Sequence, residues 1–333
     1  MKAMVLEQPG AVEGRPLRPR EVDDPRPGPG EVVVRVRACA VCRTDLHTVE
    51  GELTLPRLPV IPGHQVVGEV EAIGDGIAAP LLGRRVGLAW LWSACGDCAF
   101  CRRGLENLCA GAAFTGLHAD GGYAERVRAC TEFVYPLPAC FPDEQAAPLL
   151  CAGTIGLRAL RLAGALAGGT LGIFGFGASA HVAIQVARHR GCEVLVLTRA
   201  ARHREHALAL GAAWAGPPEE APPAALDHAV IFSPAGDQVP VALSLLAPGG
   251  TVACAGVTMS DIPGFPYNTI YRERTLRSVA NATRRDALEL LALAEEIPIR
   301  TTVETMPLSA ANEALLRVKH SRVTGALVLV PEA

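Results

Sequence analysis

The sequence lacks an excess of basic charge, a high aromatic content and a long apolar run. Its 333 residues carry 31 Lys and Arg against 34 Asp and Glu, a net charge of -3, and 5% of them are aromatic. A chain without a basic excess has no electrostatic reason to bind nucleic acid or an anionic membrane surface. No apolar run reaches the roughly 18 residues that a membrane-spanning helix needs. We therefore expect neither nucleic acid nor a membrane as a partner.

The chain also begins without the basic and then apolar segment of a secretion signal. We therefore expect a cytoplasmic protein, whose 11 cysteines are metal ligands or core thiols rather than disulfides. Those outside any ligand pattern are predicted to be core thiols: Cys39, Cys130, Cys140, Cys192 and Cys254. The others belong to the patterns described below.

Two domains are predicted from the length and from a change in the pattern of predicted strands and helices near residue 145. Before it, short strands such as 123–128 alternate with Gly- and Pro-rich turns, which is typical of a barrel-like β domain. After it, strands and helices alternate, with a turn at Pro248–Gly250, which predicts a doubly wound α/β sheet. The last segment breaks this alternation and most simply completes the first domain. We predict a β-rich domain of residues 1–149 and 284–333 and a dinucleotide-binding domain of residues 150–283.

A glycine-rich turn lies where a dinucleotide-binding fold needs one. An apolar strand at 171–174 runs into Gly175-Phe176-Gly177-Ala178-Ser179-Ala180, and a helix at 181–188 and a strand at 193–197 follow. Strand, glycine turn, helix and strand within about 30 residues form the context that the G-x-G-x-x-A fingerprint requires. The glycines would let the backbone approach a pyrophosphate at the helix N-terminus. We predict cofactor contacts at Gly175, Gly177 and Ala180.

The end of the next strand bears on the choice between NAD and NADP. An NAD site has an acidic residue roughly 20 residues after the glycines, where it binds the ribose 2′-hydroxyl. The chain has no acid there, in the segment Leu197-Thr198-Arg199-Ala200-Ala201-Arg202-His203. Arg199 and Arg202, with Thr198 beside them, would instead meet a 2′-phosphate. We therefore favour NADP; NAD stays open, because the two arginines could also be solvated surface charges.

Four cysteines follow one another with metal-ligand spacing: Cys95, Cys98, Cys101 and Cys109. The pattern C-x2-C-x2-C-x7-C is typical of a closed tetrahedral zinc site. The alternatives are an iron–sulfur cluster and four unrelated thiols. The cluster is disfavoured because the last gap is long and no Pro follows the final Cys. Because four ligands leave no open position for chemistry, we predict a structural zinc.

Cys42 and His64 suggest a second metal site. They offer a thiolate and an imidazole, two of the ligands that zinc prefers. A catalytic zinc takes three protein ligands and keeps one position open for water or substrate, so a third ligand must come from elsewhere. From spacing alone, a buried thiol and a hydrogen-bonded histidine remain an alternative interpretation.

Taken together, these motifs resemble the zinc-dependent alcohol dehydrogenases of the medium-chain dehydrogenase/reductase family. The resemblance covers essentially the whole chain and runs in order through Cys42–His47, Pro62–Gln65, the four cysteines, Cys151–Gly153 and Gly175–Ala180. It implies a GroES-like β-barrel-type catalytic domain and a Rossmann cofactor domain. It also implies that Cys151 joins Cys42 and His64 on a catalytic zinc, which makes two Zn2+ per chain.

The resemblance implies roles for the residues around this zinc. The metal would lower the pKa of an alcohol hydroxyl, as it does for water. Thr44 would accept the hydroxyl proton, and His47 would pass it to solvent through the cofactor ribose. Asp45 would orient His64 from behind. A helix cap for Thr44 and a solvent-facing position for His47 are the alternative interpretations.

The resemblance further implies the reaction: hydride transfer between a nicotinamide cofactor and a primary aliphatic or aromatic alcohol or aldehyde. Bulky pocket walls, Trp90 and Trp92, suit such substrates better than polyols. Residues near the nicotinamide amide would be Val257, Val279 and Asn281. Relatives are dimers or tetramers, so a homodimer or homotetramer is implied, with the strand at 275–280 as the candidate edge.

One position departs from the family pattern, which has Gly-His-Glu where this chain has Gly63-His64-Gln65. Glutamine keeps an oxygen but carries no charge, so a role of that carboxylate in tuning the metal is in doubt. We expect retained but altered activity, because the three metal ligands are intact. The alternatives are a secondary-alcohol or polyol dehydrogenase on the same scaffold and a zinc-binding homologue with impaired catalysis.

Overall fold

The computed structural model describes residues 1–297 and 299–332. The chain forms two compact units. Unit 1 comprises residues 1–151, 281–295 and 300–333, and unit 2 comprises residues 152–280 and 296–299.

The helices and strands follow one another with short turns of 3-10 helix between several of them. The strands are β1 (Lys2–Leu6), β2 (Leu17–Glu21), β3 (Glu31–Val41), β4 (Gln65–Ile73), β5 (Arg85–Leu88), β6 (Leu91–Ser93), β7 (Ala113–Phe114), β8 (Arg126–Cys130), β9 (Val134–Pro136), β10 (Gly169–Phe174), β11 (Cys192–Leu197), β12 (Trp214–Gly216), β13 (Leu226–Ile231), β14 (Leu246–Cys254), β15 (Thr275–Ser278), β16 (Val303–Pro307) and β17 (Ala326–Val330). The α-helices are α1 (Arg43–Glu50), α2 (Asp143–Ala146), α3 (Ala152–Ala163), α4 (Ala178–His189), α5 (Ala201–Ala209), α6 (Gln238–Leu245), α7 (Arg284–Glu296) and α8 (Ala311–Lys319).

The long strand β3 organises the sheet of unit 1. Its first half pairs with β8, its second half pairs with β17, and β4 runs antiparallel along its other side. The strand order is β16-β17-β3-β4-β5-β9, with β8 attached to β3. The β-branched residues Val32, Val34 and Val36 of β3 are all buried in the core of this unit. The barrel-like β domain expected from the sequence is thereby confirmed.

One strand of unit 1 begins later than predicted. The expected strand at 123–128 is observed as β8, which starts at Arg126 and pairs with β3. Tyr123 and Ala124 are fully buried. The Tyr123 carbonyl accepts a hydrogen bond from the Met4 amide (2.8 Å), so this stretch is held by β1 before β8 begins. The apolar pattern predicts that residues 123–128 are buried. It does not show that residues 123 and 124 pair with β1 whereas the residues from Arg126 onward pair with β3.

Unit 2 contains a parallel six-stranded sheet in the order β12-β11-β10-β13-β14-β15. The chain starts at the centre with β10, moves outward to β12, and then returns to build the other half. Strands covered on both faces read as continuous apolar runs, and Leu171, Ile173 and Phe174 of β10 are completely buried. This is the doubly wound sheet that the alternation predicted.

The predicted turn at Pro248–Gly250 is wrong. These residues lie inside β14, which runs without a break from Leu246 to Cys254. The pairing of β14 with β13 shifts register between Leu226 and His228, and Gly249 has a positive φ of 78°. The glycines therefore form a bulge in a strand, because proline and glycine mark bulges as well as turns.

One stretch, Asp143–Ala163, is long and apolar enough to cross a membrane by length and composition alone. Of its apolar window, 78% is buried inside the protein. The core helix of a globular protein passes the same test, so this stretch is weak evidence for a membrane span.

Gly68 should be essential to the stability of unit 1. It lies in β4 opposite Val36, and a Cβ placed on it would overlap the Arg35 carbonyl oxygen and the Val34 side chain. Forcing a methyl group into a packed core typically costs about 1–3 kcal/mol. We expect Gly68→Ala to lower the apparent melting temperature in a thermal melt followed by circular dichroism. Gly10→Ala is the matched control, because a Cβ there meets no described atom within 4 Å. Equal melting temperatures for both variants would contradict the expectation.

Candidate active site and metal centres

The first site residues lie at the junction between β3 and α1. Cys42 is the N-cap of α1, and the Asp45 carboxylate accepts a hydrogen bond from the Cys42 backbone N–H at 2.9 Å. This is the arrangement of a capping box, and it places the Cys42 thiol at the start of the helix. Thr44 and His47 are three residues apart on α1, so they share one face of the helix, and both are buried.

The Asp45 carboxylate also holds His64. The His64 Nδ1–H donates to Asp45 Oδ1 at 2.7 Å, and the Tyr123 hydroxyl donates to Asp45 Oδ2 at 3.2 Å. All three side chains are almost completely buried. His64 Nε2 is buried with no hydrogen-bond partner among residues 1–297 and 299–332. A buried ring nitrogen without a partner needs an explanation, and a bound metal ion is one, because histidine is the commonest metal ligand among side chains.

Cys151 completes a cluster of three potential metal ligands. It follows a buried turn of 3-10 helix at Ala147–Leu150. The Cys42 and Cys151 sulfurs and the ligand nitrogen of His64 all lie within 4.8 Å of one another. The structure thus brings together all three residues for which the sequence predicted a catalytic zinc. Two thiolates and one imidazole are a recognised ligand set of catalytic zinc.

Protonation in this cluster is strongly perturbed. Burial opposes a charge on His64, but the Asp45 carboxylate outweighs that cost, and the pKa of His64 is raised to about 10. A hydrogen bond from Cys151 holds the pKa of the Cys42 thiol well below its usual range, although burial opposes the charge. The hydrogen bond to Cys42, with burial, raises the pKa of Cys151 well above its usual range. The shifts therefore favour a negative charge on Cys42 and a positive charge on His64, and a divalent cation would displace the protons of these ligand atoms.

The four clustered cysteines also converge on one point. Adjacent sulfurs are 3.5 Å apart for Cys98 and Cys101, 3.5 Å for Cys95 and Cys109, and 3.9 Å for Cys95 and Cys101. Zinc–sulfur bonds of about 2.3 Å in a tetrahedron place sulfurs about 3.8 Å apart. The Cys101 backbone N–H lowers the pKa of Cys98 to about 7, so one thiolate forms readily near neutral pH. The observed spacing fits four ligands around a single ion.

The glycine fingerprint lies at the carboxyl end of β10, where the strand order of the sheet reverses. Gly175 has a positive φ of 84°, and its Cβ would press on Ser233, which follows the neighbouring strand β13. Gly177 is the N-cap of α4, and a Cβ on it would meet no described atom within 4 Å. No protein contact therefore demands glycine at 177; the space beside it is free for a ligand. Ala180 is completely buried in the first turn of α4.

The segment after β11 presents the predicted arginines to solvent. Arg199 and Arg202 are exposed, whereas Thr198 is buried and its N–H bonds to the Gly216 carbonyl at 2.9 Å. Arg204, which the sequence did not single out, donates to the carbonyl oxygens of Thr198 (3.0 Å) and Arg199 (2.6 Å). Arg204 therefore braces the loop that carries Arg199. No sequence motif marks such a side-chain contact with the backbone.

The residues predicted near the nicotinamide follow the ends of two neighbouring strands. Val257 comes after β14 and is 58% exposed, and Val279 follows β15 and is buried, with its N–H bonded to the Cys254 carbonyl at 2.8 Å. Asn281 has a positive φ of 54° and belongs to unit 1. Exposure of a large apolar residue such as Val257 at the carboxyl edge of a parallel sheet suits a ligand contact.

Gln65 is buried at the start of β4, opposite Ala40 in β3. Its side-chain NH2 donates to the Ala40 carbonyl oxygen at 3.3 Å. A carboxylate at this position has no proton to donate, so it would face that carbonyl as a second acceptor. The glutamine that departs from the family pattern is therefore matched to its local backbone.

Aromatic rings line one side of His64. The Trp90 ring meets His64 edge-on with centroids 4.9 Å apart, and Phe114 stacks on Trp90 at 5.0 Å. Trp92 instead donates its indole N–H to the Arg128 carbonyl at 3.4 Å. Of the two tryptophans predicted as pocket walls, Trp90 therefore lies against His64.

Comparisons with known proteins match the same regions of the chain. The profile of the alcohol dehydrogenase GroES-like domain matches residues 28–139, and that of the zinc-binding dehydrogenase matches residues 180–296. A probable alcohol dehydrogenase AdhA of Mycobacterium tuberculosis is 45% identical over 336 residues, covering 99% of this chain and 97% of the relative. The chain belongs to the zinc-type alcohol dehydrogenases of the medium-chain dehydrogenase/reductase family.

Other relatives agree with this family. An alcohol dehydrogenase of Geobacillus stearothermophilus is 35% identical, with 99% of each chain covered. The crystal structure of a cinnamyl alcohol dehydrogenase from Sorghum bicolor superposes with a TM-score of 0.90 at 27% identity, covering 99% of this chain and 97% of that one. The dehydrogenase described here is an oxidoreductase that acts on alcohols and aldehydes with zinc and a nicotinamide cofactor.

Asp45 should control how tightly the His64 site holds zinc. In Asp45→Asn, the side-chain NH2 group would face one of the groups that now donate a hydrogen bond to the carboxylate. Loss of such a partner of a ligating histidine typically costs 10–100-fold in metal affinity. We expect Asp45→Asn to lose one zinc at a lower chelator concentration than the wild type, measured as zinc content after graded dialysis. Tyr123→Phe is the control, because it removes one donor and leaves the carboxylate with the other two. Equal retention by Asp45→Asn and the wild type would contradict the expectation.

Proposed function

We propose that Cys42, His64 and Cys151 hold the catalytic zinc of this alcohol dehydrogenase. The observation that carries the proposal is the buried, unpartnered Nε2 of His64, which lies within 4.8 Å of the Cys42 and Cys151 sulfurs. The bound metal would act as a Lewis acid on the alcohol or aldehyde oxygen. Asp45 fixes the tautomer and direction of the imidazole through its 2.7 Å hydrogen bond.

We infer that Thr44 and His47 move the substrate proton. Thr44 Oγ1 lies 3.7 Å from Cys42 Sγ, so the hydroxyl is near the point where the three ligands converge. His47 lies one helical turn further along the same face of α1. Thr44 would accept the hydroxyl proton during alcohol oxidation, and His47 would receive it next. Both side chains are buried, which excludes bulk water from the transfer.

A second zinc on Cys95, Cys98, Cys101 and Cys109 is proposed as structural. The sulfur spacing of 3.5–3.9 Å supports one ion, and four ligands leave it no catalytic position. The segment has little regular structure of its own, so a metal would supply its order. We assign the zinc-binding catalytic domain to residues 1–149 and 284–333 and the cofactor domain to residues 150–283.

For the cofactor we propose NADP. Gly175, Gly177 and Ala180 would receive the pyrophosphate at the N-terminus of α4. The support for a 2′-phosphate is the exposed pair Arg199 and Arg202, the absence of an acid after β11, and the brace that Arg204 gives to the loop. Thr198 completes this end of the site, and Val257, Val279 and Asn281 would lie near the nicotinamide.

The proposed substrates are primary aliphatic or aromatic alcohols and their aldehydes. The support is Trp90, whose ring lies 4.9 Å from His64 and would leave a flat, apolar space beside the metal. Activity is proposed for the cytoplasm, in a homodimer or homotetramer. The exposed edge strand β15 is the candidate interface, because an unpaired sheet edge favours pairing with a second copy.

Zinc content should separate the two proposed metal sites. We expect two zinc ions per chain in the wild type and one in either Cys98→Ser or Cys151→Ser, measured by atomic absorption on purified protein. Cys151→Ser should also lose turnover, because a catalytic ligand is missing. Cys140→Ser is the matched control: the prediction that Cys140 is a core thiol is wrong, because this cysteine is exposed, and it lies in neither cluster. Two zinc ions in Cys151→Ser would refute the three-ligand site.

Cofactor preference should depend on the arginines after β11. We expect aldehyde reduction with a kcat/KM for NADPH at least about 10-fold above that for NADH, because charged hydrogen bonds contribute about 1.5–3 kcal/mol. The double variant Arg199→Ala, Arg202→Ala should lose this preference. Arg190→Ala is the control, because Arg190 is an exposed arginine at the C-terminal end of α4, whereas the pyrophosphate is proposed to bind at the N-terminal end. A wild-type preference for NADH would refute the 2′-phosphate site.

The same assay tests whether Gln65 is compatible with catalysis. We expect turnover by the wild type with its zinc bound. A zinc-loaded wild type that is inactive on several aldehydes and gains turnover on Gln65→Glu would instead support a homologue with impaired catalysis. A panel of secondary alcohols and polyols, measured beside the primary alcohols, distinguishes the alternative substrate classes.

A further inference from the structure

The end of α1 brings Glu52 back onto His47. Gly51 takes a left-handed conformation with φ 79°, and its N–H and that of Glu52 bond to carbonyls of the last turn. The Glu52 N–H donates to the His47 carbonyl oxygen at 2.9 Å, as in a Schellman motif. A Cβ at 51 would lie 2.9 Å from the Pro9 Cβ, so the neighbouring chain also favours glycine there. These backbone hydrogen bonds therefore fix the position of Glu52, and they do not involve its side chain.

The side chains of this pair meet directly. His47 Nδ1 lies 2.6 Å from Glu52 Oε2. The His47 side chain is 7% exposed, whereas the Glu52 side chain is 46% exposed. The carboxylate thus links a buried imidazole to the solvent.

This contact determines which imidazole nitrogen is basic. A carboxylate accepts hydrogen bonds, so His47 carries its proton on Nδ1 and donates it to Glu52. Nε2 is then left as the acceptor, and the carboxylate stabilises the imidazolium that forms when Nε2 takes a proton. The same division of roles between a carboxylate and a histidine operates in hydrolytic triads.

The neighbouring acid Glu50 is already engaged elsewhere. Its carboxylate accepts hydrogen bonds from the Lys319 ammonium at 2.8 Å and from the Val12 N–H at 3.0 Å. It therefore provides an acid of the same type, two residues away, with a purely structural set of partners.

We propose that Glu52 is the positioning residue and the proton exit of the relay, an inference that rests on the proposed roles of Thr44 and His47. In alcohol oxidation the carbinol carbon gives a hydride to the oxidised nicotinamide, and the hydroxyl gives a proton to Thr44 and then to His47 Nε2. His47 releases its Nδ1 proton to Glu52 Oε2, and water takes it from there. Aldehyde reduction runs the same transfers in reverse, so charge and protons balance in both directions.

Single-turnover alcohol oxidation tests the proposal, because product release does not mask the transfer step. The zinc-loaded enzyme is mixed with oxidised cofactor and alcohol, and reduced nicotinamide is followed by absorbance at constant pH and ionic strength. We expect Glu52→Gln to slow this rate about 10-fold, less than the roughly 10²–10⁴-fold contribution of a group that itself takes the reacting proton, because Glu52 acts through His47. Glutamine still accepts the Nδ1 hydrogen bond but takes no proton. Rising concentrations of imidazole buffer should restore the rate, whereas the wild type and Glu50→Gln should not respond to buffer.

His47→Gln separates failure of this inference from failure of the relay itself. If His47→Gln is slow and Glu52→Gln matches the wild type, the proton leaves by another route and the inference is overturned. If both match the wild type, the proposed relay is wrong, and the inference falls with it. If Glu52→Gln is slow at every buffer concentration, its role is structural and the inference is overturned. A slow Glu52→Gln that buffer rescues supports the exit through Glu52.

Discussion

The buried carboxylate of Asp45 is the interaction on which the active-site half of this molecule depends. Removing a carboxylate from water costs several kcal/mol unless hydrogen bonds replace its hydration. Here three donors do so: the Cys42 N–H, the His64 ring and the Tyr123 hydroxyl. They come from the start of α1, from the loop before β4 and from the stretch before β8. One charge thus connects three separate segments of unit 1, and two of them carry proposed metal ligands, Cys42 and His64.

The buried Asp45 carboxylate also explains why the cluster of Cys42, His64 and Cys151 is suited to bind a cation. Burial opposes a charge on His64, yet the Asp45 carboxylate raises its pKa, and the hydrogen bond from Cys151 holds the pKa of Cys42 below its usual range. A bound Zn2+ would displace the protons of these ligand atoms and would be held by two thiolates and a neutral imidazole, with Asp45 behind the other ring nitrogen.

Local patterns in the sequence predict the metal ligands and the cofactor turn. The cysteine spacing places four sulfurs together because the ligands are close along the chain, and Gly175 needs a conformation that depends on its own backbone. Long strands such as β3 and β10 are predicted for the same reason: alternation or a continuous apolar run is visible within each segment.

Contacts between distant segments are what the sequence does not reveal. Tyr123 and Asp45 are 78 residues apart, and the hydrogen bond from Gln65 to Ala40 depends on the register of β3 against β4. Arg204 and Glu52 act on residues only five positions away, yet both contacts depend on how a loop folds back after a helix or strand. Neither the contact of Arg204 with backbone carbonyls nor that of the Glu52 side chain with the His47 ring leaves a signature in residue spacing, so the sequence did not predict them.

The same charge balance accounts for Gln65. A glutamate at this position would add a negative charge next to His64, in a cluster that already holds Asp45 and two thiols. It would also place an acceptor against the Ala40 carbonyl, where the glutamine amide now donates. Burying a second carboxylate without donors is costly, and its charge would bind the divalent ion more strongly. Glutamine avoids both effects, so the proposed metal would be held by Cys42, His64 and Cys151, with Asp45 behind His64 and no added negative charge from residue 65.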